Sequence, residues 1–314
     1  VMHVEWVDST SYMSGFTLRN GEATDGAGIH LSSSEMTFEN LIITENHATN
    51  WGGGMYIAGP ANGYTWTPHM NDIIFSNNNS DSHGDVAYLG AYSTTTITNS
   101  IIEDHIITSN HNLIACSQYG NLDLDNVIIR NNYLVGYLIS TYQITNVNIK
   151  NSQIVNNVNT GGGGRLITLS GYASVNIENT LIADNEAGVI HQATGDSFDA
   201  HLSLNEVTMT RNMSSNGIES GIKIVGSNGT GGYTNISNSI IYDNGDSLQI
   251  FVDDDIGHIL NIEYSNIENR LDHIAEADSI NWGDGNIDVD PRFVNEDEED
   301  YHLLASSLCI NAAH

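Results

Sequence analysis

Two aspartates and an arginine stand at the same position of successive repeats and form the first candidate for a catalytic cluster. They are Asp184, Arg211 and Asp243. In glycoside hydrolysis two carboxyl groups flank the scissile bond, one as the acid and the other as the base or nucleophile. Opposite charges on neighbouring strands of an exposed sheet also pair without any catalytic role. The sequence predicts that these three side chains are neighbours and leaves both interpretations open.

A histidine in an acidic setting is a second candidate for chemistry. His105 follows Glu103 and Asp104 and could serve as a general acid or base. The same residue occupies a position that asparagine holds in most other repeats, which favours a structural role. The chain has no His-x-His or HExxH spacing, so a zinc site is not indicated.

Alternating acidic and amide residues near the C-terminus form the candidate metal site. Asp284, Asn286, Asp288 and Asp290 offer oxygen ligands, of which Ca²⁺ takes about six to eight. The segment lacks the distant bidentate Glu of a calcium loop, and such alternation is also typical of the solvent face of a strand. Ca²⁺ is the one cofactor that the sequence suggests. Two further acidic loops lie at Asp253–Asp255 and Glu296–Asp300.

Aromatic residues in the longest early insertion are the candidate ligand-binding residues. Trp51, Tyr64 and Trp66 lie in or beside this insertion. Aromatic rings offer large, rigid contact area and bind the apolar faces of sugars, although they can also cover the ends of a repeat domain. We expect them to bind a polysaccharide or a cell-surface glycan.

The charge of the chain excludes several classes of partner. Eight Lys and Arg face 39 Asp and Glu, which gives a formal net charge of −31. A nucleic-acid binder needs basic side chains against phosphate, so we expect no nucleic-acid partner. No apolar run is long enough for a helical membrane span, so no membrane insertion is expected. Cys116 and Cys309 are too few for a disulfide framework and are interpreted as free.

The elements that position these residues are set by an internal repeat of about nine turns. One polar position recurs at intervals of 25 to 32 residues. Its members are Asn46, Asn78, His105, Asn132, Asn157, Asn185, Asn212, Asn244 and Arg270. The residues three and eight places before it are apolar in every repeat, as Ile43 and Phe38 are in the first. The residue six places before it is mostly Asn.

Apolar and polar residues alternate within each repeat, which is typical of short, half-buried strands. Such strands cannot bury a face alone, but stacked coils about 4.8 Å apart can enclose a continuous core. The repeat therefore predicts an all-β, parallel β-helix, with the polar position forming a ladder of asparagine side chains. Glycines such as Gly52–Gly54 are expected to lead into the next strand.

Several motifs resemble those of right-handed parallel β-helix proteins with the pectate-lyase-like fold. GAGIH at 26–30, GGGMY at 52–56 and FENLIITEN at 38–46 resemble the GG-hydrophobic and FxxN repeats of polymorphic outer-membrane proteins. GNIDVDPRFVN at 285–295, with DYHLLASSLCINAA at 300–313, resembles the terminal coil of secreted bacterial β-helix proteins. Leu308, Asn311 and Ala313 replace the Pro, Asp and Gly of that pattern.

The resemblance implies one parallel β-helix domain over residues 1–314, with residues 285–314 as its terminal coil. Val7–Gly21 resembles a coil from the middle of such proteins, so we expect a fragment of a longer secreted chain. The family contains polysaccharide lyases, hydrolases and epimerases as well as surface proteins, so the fold does not decide the function. We expect a secreted or cell-surface protein with a structural, adhesive or glycan-binding role. A carbohydrate-active enzyme and a filament subunit that associates through its solenoid ends are the alternatives.

Overall fold

The alternation of apolar and polar residues produces short strands whose apolar side chains all enter one interior. In the computed structural model the chain is an all-β solenoid of about nine turns, and nearly all of its strands are parallel. The predicted parallel β-solenoid is thus confirmed. The structure describes residues 1–59, 64–161, 164–194, 199–214, 221–226, 232–245, 249–252, 257–269, 274–275 and 279–312.

Each coil contributes one strand to the first sheet, sheet A. Its strands, in spatial order, are Met2–Glu5, Ile29–Ser32, Met55–Ala58, Ala87–Leu89, Ile114–Cys116, Ile139–Thr141, Arg165–Leu169, Gly188–Thr194, Ile222–Gly226, Ile250–Val252 and Ile274–Ala275. Consecutive coils stack in register, so His3 pairs with His30 and His30 pairs with Tyr56. Outward side chains of sheet A therefore form columns along the solenoid.

The second sheet, sheet B, is bent, and most coils cross the bend with two successive strands or one long strand. Its strands are Ser11–Ser14, Thr17–Arg19, Met36–Thr44, His69–Ser76, Thr94–Thr98, Ile101–Glu103, Asn121–Asp125, Ile128–Arg130, Asn146–Lys150, Gln153–Val155, Ser174–Ala183, His201–Thr210, Tyr233–Ser237, Ile240–Tyr242, Ile259–Glu263, Asn266–Ile267 and Ser279–Trp282.

Smaller elements complete the coils and the C-terminus. A short parallel sheet joins Glu22–Asp25, His47–Trp51 and Asn79–Ser80, and a parallel pair joins Tyr133–Leu134 to Val158–Asn159. Phe293–Asn295 and Asp300–Leu303 pair antiparallel. We call residues 293–303 the C-terminal hairpin. Short 3-10 helices lie at Glu296–Glu298 and Leu308–Asn311. Among the described residues, no helix has the length and apolar character needed to cross a membrane.

The two predicted apolar columns are core rungs. Phe38 and Ile43, and their counterparts in the other eight repeats, are at most 1% exposed. The predicted asparagine ladder is buried beside them. Nδ2 of Asn132, Asn157, Asn185 and Asn212 donates to Oδ1 of the next member of the ladder at 2.7–3.0 Å. Arg270, which the repeat assigns to the last rung, lies outside the described residues.

Each coil has two residues with left-handed backbone before its ladder residue, one on each side of the short stretch that leads to the ladder. The residues six places before the ladder have φ between 45° and 57°, and those directly before it have φ between 51° and 59°. Asn and Asp tolerate this region better than other residues with a side chain, which explains why they dominate both columns. Asp184, Arg211 and Asp243 belong to the second of these columns, so they sit on consecutive turns.

Candidate functional site

Three aromatic side chains from two coils meet at a corner between sheets A and B. Trp6 follows the first strand of sheet A, whereas Tyr64 and Trp66 come from the connection that follows the third strand, two coils later. The ring centroids of Trp6 and Trp66 lie 6.0 Å apart at 84°, and those of Tyr64 and Trp66 lie 4.7 Å apart at 59°. These residues line a groove of ≈ 390 Å³ with Val7, Asp8 and Glu35. We call it the aromatic groove.

The aromatic groove leaves ring surface open to solvent. Trp6 is 68% exposed and Tyr64 is 49% exposed, although large aromatic side chains are usually well covered. The rings are edge-to-face or tilted and not stacked, so they cover only part of each other's faces. Such rings can pack against the C–H face of a sugar, and the neighbouring carboxylates can accept hydroxyl hydrogen bonds.

Hydrogen bonds hold the polar rim of the groove in place. The Tyr64 hydroxyl donates to Glu35 Oε1 at 2.8 Å, and Thr67 Oγ1 donates to the same oxygen at 3.3 Å. The Tyr64 pKa is raised, chiefly by this hydrogen bond to Glu35, so the phenol stays protonated. The backbone N–H of Glu35 donates to the Val7 carbonyl at 2.9 Å, which fixes one coil of the rim against the next.

Trp51 lies apart from Tyr64 and Trp66, before the sheet A strand Met55–Ala58 and not after it. Its ring stacks on Tyr88 at 4.8 Å and 14°, and Tyr88 stacks on Tyr56 at 5.6 Å and 11°. His30 continues this column at 4.9 Å from Tyr56. Parallel rings on adjacent coils cover one another's faces, so the column stabilises coil stacking more readily than it presents a flat surface to a sugar.

The structure brings Asp184 and Arg211 together beneath the C-terminal hairpin. Arg211 Nε donates to Asp184 Oδ1 at 2.9 Å, and the Tyr301 hydroxyl donates to Asp184 Oδ2. Arg211 also lies 3.8 Å from Glu296 and 3.7 Å from Asp297. Both carboxylate oxygens of Asp184 are thus engaged within the protein. This arrangement suits an ion pair that fastens the hairpin to the solenoid.

Asp243 contributes to the same turn column through its backbone. Its carbonyl accepts from the Arg211 N–H at 2.9 Å, and its own N–H donates to Glu268 Oε2 at 2.9 Å. Burial raises the Glu296 pKa, Arg211 opposes that shift, and Asp243 adds to it. The three predicted residues are therefore neighbours in the fold, with the acidic hairpin laid over them. The pair Glu103 and Arg130 repeats the ion-pair arrangement elsewhere, at 2.8 Å.

The four candidate calcium ligands cap different backbone groups. Asn286 Oδ1 accepts from the Ser265 N–H at 3.0 Å, Asp288 Oδ1 from the Asn269 N–H at 3.2 Å, and Asp290 Oδ1 from the Arg292 N–H at 2.8 Å. The carbonyl of Asp284 accepts from Tyr264. Within the described part of the chain, no group of three or more His, Cys, Asp or Glu could hold a metal ion. Asp253–Asp255 lies outside the described residues.

His105 is a member of the buried ladder. It is fully buried, and its Nδ1 lies 3.0 Å from Oδ1 of Asn132. Because an amide oxygen only accepts, this contact requires the proton on Nδ1. Nε2 is then a buried acceptor without a hydrogen-bond partner. Burial lowers the pKa of His105 to about 4. Neither ring nitrogen reaches solvent, which does not suit a general acid or base.

Sequence reasoning missed Trp6, Asp8 and Glu35 as members of the aromatic groove. The register of sheet A held a signal, since Glu5, Ser32 and Ala58 occupy one column. Trp6 follows the first of these and Gly59 follows the last, next to the insertion that carries Tyr64 and Trp66. No family model, curated protein or solved structure matches this chain.

Proposed function

We propose that this β-solenoid binds carbohydrate non-catalytically through the aromatic groove. The observation that carries the proposal is the exposed, non-stacked cluster of Trp6, Tyr64 and Trp66 with two carboxylates at its rim. Rigid aromatic surface supplies contact area at low entropic cost, and few polar groups orient the ligand. Because the groove is open, a chain longer than the groove can pass through it.

The proposed setting is outside the cell or on its surface. An acidic, repetitive solenoid whose buried asparagine side chains bond to one another from coil to coil suits a scaffold that presents a binding site. On the basis of the GGGMY and FxxN motifs, we propose that the chain belongs to the right-handed, pectate-lyase-like β-helix proteins. Its repeats would be of the kind found in polymorphic outer-membrane proteins. Association of open solenoid ends between molecules stays a separate prediction.

The proposal is tested by measuring binding to a panel of soluble oligosaccharides with tryptophan fluorescence and calorimetry. Trp6→Ala and Tyr64→Ala should each weaken binding at least about tenfold, since aromatic anchors contribute most to such contacts. Tyr119→Ala removes a comparably exposed ring that stacks on Tyr92 elsewhere and should leave binding unchanged. Binding that is insensitive to both groove variants would overturn the assignment of this site.

A further inference from the structure

The charged side chains that line the aromatic groove are acidic. Among the described residues they are Asp8 and Glu35, and neither Lys nor Arg lines the groove. Thr10 donates to Asp8 Oδ1 from its N–H at 3.0 Å and from its hydroxyl at 2.6 Å. These bonds lower the pKa of Asp8 and keep its carboxylate charged. The whole chain, at −31, adds to the negative potential.

The ring geometry favours a cation in the same space. The faces of aromatic rings carry negative potential and their edges positive potential. Trp6 and Trp66 meet at 84°, and Tyr64 is tilted by 59° to Trp66, so the three rings present surfaces in different directions around one groove. Rings arranged around a space attract ammonium groups, as in the aromatic cages that recognise quaternary ammonium ligands.

Both hydrogen bonds that the Glu35 side chain receives from described residues fall on Oε1. The other carboxylate oxygen, Oε2, is therefore the one available to a ligand. A neutral sugar that covered Asp8 and Glu35 could offer them hydroxyl hydrogen bonds but no opposite charge to offset the loss of hydration. An acidic sugar would meet like charge. An ammonium group instead pairs with the carboxylates and stacks over the rings.

We propose that the aromatic groove selects glycans that carry free, positively charged amino groups, such as chains of deacetylated hexosamine. This inference rests on the proposed carbohydrate-binding function and names its ligand class. Recognition combines cation–π contacts to Trp6, Tyr64 and Trp66 with charge pairing to Asp8 and Glu35. Glycans that carry carboxylates are excluded by the same charges.

Gly59 positions one wall of this groove. A Cβ at Gly59 would lie 2.1 Å from Cδ1 and 2.3 Å from Nε1 of Trp66, so any side chain there must displace the indole. The Gly59→Ala variant leaves the six described groove-lining residues unchanged. It should nevertheless weaken amino-glycan binding at least about tenfold if the placement of Trp66 matters.

The test compares glucosamine oligomers with N-acetylglucosamine oligomers of the same linkage and length. The two probes differ in the amine charge and the acetyl cap. The glucosamine oligomer should bind at least about tenfold more tightly. Glu35→Gln should abolish most of that preference and leave binding of the acetylated oligomer nearly unchanged. Glu178→Gln, which removes an exposed carboxylate far along the solenoid, is the matched control.

The possible results separate the amino-glycan inference from the proposed carbohydrate-binding function. Equal binding of both oligomers, with loss in Trp6→Ala, overturns the amino-glycan inference and keeps the carbohydrate-binding proposal. Glucosamine binding that Trp6→Ala and Glu35→Gln leave intact shows general attraction of a polycation to an acidic protein and also overturns the inference. Binding of neither oligomer overturns the inference. Failure of every glycan in the wider panel overturns the proposed function as well.

Discussion

Arg211 lies one coil beyond Asp184 on a column of left-handed turns, and its Nε donates to the Asp184 carboxylate at 2.9 Å. The same guanidinium faces Glu296 and Asp297 of the C-terminal hairpin. Asn156 adds a neighbouring contact by donating to Glu299 at 3.2 Å. A single cation thus joins the solenoid turn to a strongly acidic hairpin, and its removal leaves several carboxylates facing one another.

Arg211→Gln should loosen the C-terminal hairpin. Without the guanidinium, Asp184, Glu296 and Asp297 repel one another, and hydrogen exchange of residues 300–303 should accelerate at least about tenfold. Lys150→Gln is the control, because Lys150 is also part of an exposed ion pair, at 3.0 Å from Glu178, but neither partner belongs to the hairpin. Unchanged protection of the hairpin in the Arg211 variant would refute its role as the fastening residue.

Asn185→Ala should destabilise the solenoid much more than Asn176→Ala in the same coil. Asn185 is 1% exposed, and its Oδ1 accepts from the Asn157 N–H at 2.9 Å and from Nδ2 of Asn157 at 3.0 Å. Its loss leaves buried donors unsatisfied and should cost roughly 2–4 kcal/mol of unfolding free energy. Asn176 is exposed and donates to Asn148, so its replacement should cost less than about 0.5 kcal/mol. Urea unfolding measures the free energy of unfolding of both variants. Similar decreases in the two would contradict a stabilising role of the buried ladder.

His105→Asn should protect the protein against mild acid. The folded pKa of about 4 lies below the ordinary histidine pKa of 6.5, so the unfolded chain binds a proton that the folded chain does not. Stability is therefore lost as pH falls through this window. Between pH 7.5 and 5.0 the loss in the variant should be smaller by about 2 kcal/mol. His302→Asn is the control for replacing a histidine outside the ladder, at an exposed side chain 2.6 Å from Asp300. Equal acid sensitivity of all three proteins would show that His105 is not responsible.

Asp85→Asn should remove a loss of stability that occurs as pH rises. Asp85 is 1% exposed, and its Oδ1 accepts from the backbone N–H and the hydroxyl of Ser80. Burial raises its pKa to about 7, although the hydrogen bonds from Ser80 act in the opposite direction. The folded state holds a proton that the unfolded state releases, so stability falls between about pH 4 and pH 7.

Asparagine keeps the Oδ1 acceptor of Asp85 and does not titrate. Relative to the parent protein, Asp85→Asn should gain about 3 kcal/mol between pH 5 and pH 8. Asp125→Asn, at an exposed carboxylate, is the control in the same unfolding series. A constant difference between Asp85→Asn and the parent across this range would show that Asp85 does not titrate there.

The core and the ladder could be predicted because coil stacking turns sequence spacing into spatial contact. Residues at equal offsets in successive repeats become neighbours. The residue types at equivalent positions therefore predict that Phe38 and Ile43 are core residues and that Asn46 belongs to the ladder. The prediction of neighbours at Asp184 and Arg211 rests on the same rule. The role of these two residues does not follow from the same rule, because the rule does not predict that the C-terminal hairpin covers them.

The aromatic groove shows why part of the site escaped prediction. Trp6 and Trp66 occupy unequal offsets in their repeats, and the insertion between them has no counterpart in the next coil. Closeness in sequence predicts that Trp51 belongs with Tyr64 and Trp66. A strand of sheet A separates it from them, and its ring stacks instead on Tyr88.

By itself, the sequence determined the parallel solenoid, its buried apolar columns and its asparagine ladder, because these depend on contacts that repeat with one period. Only the tertiary structure decided which aromatic rings converge with Asp8 and Glu35, and that the hairpin covers Asp184. Tyr301 reaches Asp184 across 117 residues, and Asn156 reaches Glu299 across 143. Such contacts obey no period, because they depend on where the chain folds back across coils that are already stacked.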